Sequence, residues 1–106
     1  MITQSRPIVE LSPPEQLRKI ADFLDQHPGA SEALMEARAS VRPRMQNWPS
    51  VTFDGVEILR TIFPSSEATV RRQGDYLIYS LDRDGIYIEA YEKRPEPKTQ
   101  PERIRL

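Results

Sequence analysis

The hydrophobic period of this chain changes once, near Trp48, and that change constrains the fold more than any other feature of the sequence. Upstream, apolar residues recur at the 3.6-residue spacing of an amphipathic helix. Downstream they alternate with the period of two that a half-buried strand requires. Helices gathered at the start and strands gathered after them define the α+β class, here with N-terminal helices layered on one face of an antiparallel β-meander. At 106 residues the chain has the length of one domain. That domain is expected to span 1–94, with 95–106 a Pro-rich, charged, flexible tail whose only anchors are Ile104 and Leu106.

Ser12-Pro13-Pro14-Glu15 is a capping-box pattern, in which the Ser hydroxyl and the Glu carboxylate each accept from the other's backbone amide and Pro13 sits where no N–H is needed. It predicts a helix over 13–27. Leu17, Ile20, Ala21 and Leu24 form its apolar stripe, with Phe23 beside them, and the run His27-Pro28-Gly29 ends it. A second helix is predicted after Ser31, built from good helix formers and stopping before Pro43, with a thin apolar face of Ala33, Leu34, Ala37 and Val41.

Asp54-Gly55 between apolar runs predicts a type I′ hairpin joining strands at 51–53 and 56–63. Further strands are predicted at 68–72, 76–81 and 86–92, turned by Gly74-Asp75 and by a four-residue loop at 82–85. That loop would set Leu81 opposite Ile86, Tyr79 opposite Ile88 and Leu77 opposite Ala90. One face of the hairpin then becomes wholly apolar, and the other carries Tyr76, Ile78, Ser80, Tyr87, Glu89 and Tyr91.

The stretch Leu-Arg-Lys-Ile-Ala-Asp-Phe-Leu-Asp-Gln-His-Pro at 17–28 resembles the opening of small proteins of actinobacteria and their bacteriophages, which begin with a Leu-Arg-x-hydrophobic-Ala-Asp-Phe-Leu-Asp-x-His-Pro helix and continue into strands. The resemblance implies a source and a helix-then-sheet layout. It carries no reaction with it.

Composition excludes several chemistries. With no cysteine there are no disulfides, thiolate nucleophiles or cysteine zinc sites. A single histidine, His27, is placed to end a helix, and none of the serines lies in a nucleophile elbow. Asp82-Arg83-Asp84-Gly85 matches half a calcium loop, but Ile86, Tyr87 and Ile88 bring no ligand oxygen at the positions that follow, so a hairpin turn is the better reading. The four glycines stand alone, without a phosphate-binding loop. No catalytic residue, metal or cofactor is expected. No apolar run is long enough to span a bilayer and 1–11 has no signal-peptide pattern, so the expected location is the cytoplasm.

Two surfaces are candidates for partner binding. Arg38, Arg42 and Arg44 fall in a stretch with no acid, ending at Trp48, a basic strip suited to an acidic protein surface or to phosphates. Tyr76, Tyr87 and Tyr91 make the outer hairpin face unusually aromatic. Together they predict a small non-enzymatic interaction module, of the kind a phage or mobile element uses as an accessory protein or inhibitor, with a protein partner or a second copy of the chain. The competing reading is a nucleic-acid binder that uses the same Arg38, Arg42 and Arg44 with Arg71, Arg72, Lys93 and Arg94 beside the tyrosines. A formal charge of −1 gives that reading no support from the whole-molecule field.

Overall fold

The computed structural model describes residues 12–43, 49–94 and 103–106. In chain order the elements are α1 (Pro13–Gln26), α2 (Pro28–Met35), β1 (Ala39–Arg42), β2 (Ser50–Phe53), α3 (Val56–Ile62), β3 (Glu67–Gln73), β4 (Tyr76–Arg83), β5 (Ile86–Lys93) and β6 (Arg103–Arg105). The fold is α+β. Among the described residues six strands form one sheet in the order β1-β2-β5-β4-β3-β6, antiparallel throughout except where β2 runs parallel to β5.

The capping box forms as its residues require: the Ser12 amide donates to Glu15 Oε1 at 2.9 Å and the Glu15 amide to Ser12 Oγ at 3.3 Å. The Ser12 amide, and after it the Ser12 hydroxyl, favour the ionised carboxylate and hold the Glu15 carboxyl below its usual range. The buried side of α1 is Gln16, Ile20 and Phe23, rotated from the expected stripe. Leu24 is half-buried, while Leu17, expected in the core, is 49% exposed. His27 donates its backbone N–H to the Phe23 carbonyl, and its ring lies 4.7 Å from Phe23 and 5.0 Å from Phe63. Arg83 covers the same Phe63 ring at 4.7 Å.

Pro28 both ends α1 and opens α2, where proline at the first position costs no hydrogen bond. The second helix therefore starts earlier and stops sooner than predicted. Ala37 turns the chain at φ 61°, and Ala39–Arg42, read as helix from propensity, pairs with β2 instead. Gly29 lets α2 lie close on α3, because a Cβ there would stand 3.3 Å from Ile62.

The largest correction falls at 56–62. The predicted hairpin partner of β2 is α3, which buries Val56, Leu59 and Phe63 at helical spacing and half-buries Ile58 and Ile62. Gly55 is extended, at φ 167°, not a turn residue with positive φ. Glu57 and Arg60 pair along the helix at 3.1 Å, and Thr61 Oγ1 donates back to the Glu57 carbonyl. Seven residues are too few to hold a helix alone. Burial under the sheet holds this one, and its crossover carries the chain from β2 past β5 and β4 to β3.

The type I′ turn occurs instead between β4 and β5, at Asp84-Gly85, with φ 56° and 79°. Arg83 pairs with Ile86, so Leu81 faces Ile88, Tyr79 faces Ala90 and Leu77 faces Glu92. The register differs from the expected one by two residues, and every side chain keeps its predicted face. Lys19 of α1 reaches this turn, its Nζ 3.1 Å from the Asp84 carbonyl. The tail expected over 95–106 is structured at its end. Ala68 pairs with Ile104, the Leu106 amide donates to the Ser66 carbonyl at 2.7 Å, and Ile104 and Leu106 pack on the core.

All three helices contribute to one core layer: Phe23, Ala30, Ala33, Val56 and Leu59 meet Val51, Phe53, Val70, Leu77, Tyr79, Ile86, Ile88 and Ala90 from a single sheet face. Leu59→Ala is expected to cost about 2–5 kcal/mol, and Leu17→Ala less than about 0.5 kcal/mol. Urea unfolding of the two variants checks the assignment, and equal losses would show that α1 turns its Leu17 side inward.

Candidate functional site

The helices cover one side of the sheet, and the strand registers define what stands on the other. Arg42, Ser50, Tyr87 and Asp82 form one row across β1, β2, β5 and β4. Ser40, Thr52, Glu89, Ser80 and Thr69 form the next, continuing onto β3. Tyr91, Ile78 and Arg71 follow in a third row. The predicted outer face is therefore real as a set. Tyr76 stands opposite Lys93, not Tyr91, and meets Tyr91 diagonally, ring edge to ring face, with centroids 6.2 Å apart.

Glu89 organises this face. Its carboxylate, 13% exposed, accepts from Tyr87 Oη at 2.8 Å, Tyr91 Oη at 3.3 Å and Arg71 Nη2 at 3.1 Å. A carboxylate can hold several donors in fixed directions, so one side chain braces two rings and a guanidinium that would otherwise lose rotamer freedom on meeting a partner. The hydrogen bond with Tyr87 and the charge of Glu89 hold Arg71 above its ordinary range. Burial first, then the Glu89 charge, raises the Tyr91 hydroxyl. Ile78, between Tyr91 and Arg71 in its row, is 1% exposed although it lies on this side. Among the described residues Tyr76 at 43% and Tyr91 at 36% are the exposed large rings.

The basic strip divides. Arg38 sits in the bend before β1, its carbonyl accepting from the Asp54 amide at 3.0 Å, and Arg42 ends β1 on the tyrosine side of the sheet. Both side chains are exposed. Two strand spacings separate Arg42 from Tyr87, roughly 9–10 Å of backbone. Arg44 and Trp48 lie outside the described residues. The central role of Glu89 was missed from sequence, although an acid between tyrosines at the strand period, Tyr87-x-Glu89-x-Tyr91, is a visible signal for a cross-braced face.

Other arginines are already committed. Arg72 Nη1 donates to the carbonyls of Gly74 at 3.1 Å and Arg94 at 2.7 Å, and Arg94 Nε lies 3.5 Å from Glu92. On the helix side, the Tyr79 hydroxyl donates to Glu92 Oε1 at 2.6 Å. Among the described residues no group of three or more acidic, histidine or cysteine side chains is placed to hold a metal ion, and no helix is long and apolar enough to cross a membrane. Comparisons with models of protein families, with curated proteins and with solved structures return no match.

Two outcomes are expected. Glu89→Gln replaces an acceptor-only group by one that presents two donors to the same three donors, and should cost about 1–3 kcal/mol in urea unfolding. The second concerns pH. Burial, followed by the bond to Glu92 and its charge, pushes the Tyr79 hydroxyl up to about 12 from 10.0. The folded state therefore holds this proton more tightly than the unfolded chain. Its contribution to stability is complete below about pH 10 and is lost as pH rises towards about 12. The fall in Tm across that window should be shallower in Tyr79→Phe than in the parent, and identical slopes would exclude Tyr79 as its source.

Proposed function

We propose that this chain is a small non-enzymatic protein-interaction module, and that the tyrosine side of its sheet is the contact surface. One observation carries the reading: on the side of the sheet away from the helices, Tyr87 and Tyr91 are fixed by a shared hydrogen-bonded carboxylate, with Tyr76 packed edge-on to Tyr91. Tyrosine gives large contact area at low entropic cost and a hydroxyl for the partner, and bracing lowers that cost further. Arg42 at the margin of the same side adds a rim charge, which governs orientation and encounter rate more than affinity.

The nucleic-acid reading is weaker. Of the arginines it adds beside the tyrosines, Arg71 is paired with Glu89, Arg72 is bound to backbone carbonyls and Arg94 lies beside Glu92, which leaves Arg38 and Arg42 as its unpaired arginines among the described residues, while Glu89 and Asp82 place negative charge among the tyrosines. Phosphate neutralisation calls for unpaired cations along the path of the strand. The role of a phage or mobile-element accessory protein or inhibitor, acting in the cytoplasm on a host or phage protein, rests on the resemblance at 17–28 together with this surface.

Tyr91→Ala and Tyr76→Ala should change folding stability by no more than about 1 kcal/mol, because both rings are substantially exposed. The same substitutions should weaken association by roughly 1–4 kcal/mol. Thermal melting and retention of partners from the native host separate the two effects. Sedimentation of the parent protein decides whether the partner is a second copy: a concentration-dependent dimer lost in Tyr91→Ala is the homodimeric outcome. Variants that unfold the domain would show that the face is core.

A further inference from the structure

Among the described residues the sheet ends in two edges, β1 and β6, and they are built differently. On β6, the Leu106 amide bonded to Ser66 and the pairing of Ala68 with Ile104 turn the free backbone groups of Arg103 and Arg105 outward. Three residues with two charged side chains make a blunted edge. On β1, the bond from the Asp54 amide to the Arg38 carbonyl fixes the phase of the ladder. In that register Ser40 and Arg42 bond to Thr52 and Ser50, and the N–H and C=O groups of Ala39 and Val41 point away from the sheet. Among the described residues none of these four groups has a hydrogen-bond partner, and neither Arg38 nor Arg42 makes an ion pair. A shallow depression lined by Arg38, Ala39, Ser40, Thr52 and Asp54 runs beside them.

We propose that β1 is a docking edge for an extended acidic segment of a partner protein, which adds antiparallel to Ala39–Arg42 and sets carboxylates opposite Arg38 and Arg42. This rests on the reading of the chain as a protein-interaction module and assigns it a second, chemically distinct contact. Main-chain bonds to Ala39 and Val41 supply the pairing, and side chains on alternate positions supply the selectivity. Arg38 and Arg42 are four residues apart and flank Ser40, so an incoming strand centred on Ser40 meets them two residues to either side of its own centre. The pattern recognised is acid-x-x-x-acid, with small or β-branched residues next to the centre, above the half-buried Ala39 and Val41.

Charge decides against a second copy as the occupant. A two-fold pairing about Ser40 would set Arg42 opposite Arg38 of the other chain at both ends, and like charges directly opposite are destabilising. An acidic strand turns the same four positions into attractive pairs.

The test uses the full chain and two amidated, acetylated peptides, Thr-Glu-Val-Thr-Val-Glu-Thr and its counterpart with both Glu replaced by Lys. The Glu peptide is expected to shift the backbone amides of Ala39 and Val41 in heteronuclear NMR and to bind about tenfold or more tightly than the Lys peptide. Arg42→Glu should narrow or reverse that preference with the fold unchanged. Val41→Pro removes one outward donor and none of the β2 ladder, and should abolish binding of the Glu peptide; if that variant unfolds, Arg42→Glu decides alone. No shift at Ala39 and Val41 with millimolar peptide, equal affinity for the two peptides, or a dimer that protects these amides would overturn the proposal. Tyr91→Ala should leave peptide affinity unchanged, so failure at the edge and failure at the tyrosine face read out separately.

Discussion

The parallel seam between β2 and β5 is the constraint on which the rest of the structure depends. Val51 faces Ile88 and Phe53 faces Ala90 across it, and none of the four is more than 1% exposed. Parallel strands cannot be joined by a tight turn, so the chain between them must travel. Here it passes through α3 to the far side of the sheet, returns by β3 and β4, and inserts β5 beside β2. That route places α3 over the seam and joins the β1–β2 hairpin to the β3–β4–β5 meander as one surface.

The same seam explains why the two sides of the sheet differ. The side carrying Val51, Phe53, Ile88 and Ala90 is where α3 and α2 close the core. The other side inherits the alternate residues of the same strands: Ser50, Thr52, Tyr87, Glu89 and Tyr91. Among the described residues its polar bonds run chiefly through Glu89. A partly buried carboxylate held by three donors is a rigid feature, and rigidity suits recognition. Edge and face are linked as well, because Arg42 belongs to β1 yet stands in the row of Tyr87.

Much of the candidate surface was legible from period alone. Tyr76, Tyr87 and Tyr91 share a face because strand side chains alternate, and a register error of two residues at Asp82–Gly85 left that assignment intact. The position of the turn was not legible, since Asp54-Gly55 and Asp84-Gly85 are the same dipeptide. Only the second has both residues at positive φ; at the first, Gly55 is extended and leads into a helix. Nor was the helical stripe of α1 fully legible. The spacing of Leu17, Ile20 and Leu24 fits one face, but the helix buries Gln16, Ile20 and Phe23.

By itself the sequence determined the start of α1, because a capping box is closed by residues three apart, and it determined which strand residues share a face, because alternation is a local property. Absent cysteine likewise settled which chemistries the chain lacks. Tertiary structure decided the rest. Residues 56–62 alternate well enough for a strand and space well enough for a helix, and they became α3 because a helix there buries Val56, Leu59 and Phe63 over the β2–β5 seam. Ala39–Arg42 became an edge strand, against its helical neighbourhood, because β2 offered it a ladder of hydrogen bonds. In both places local preferences are worth a fraction of a kcal/mol per residue, and burial or pairing against distant chain outweighs them.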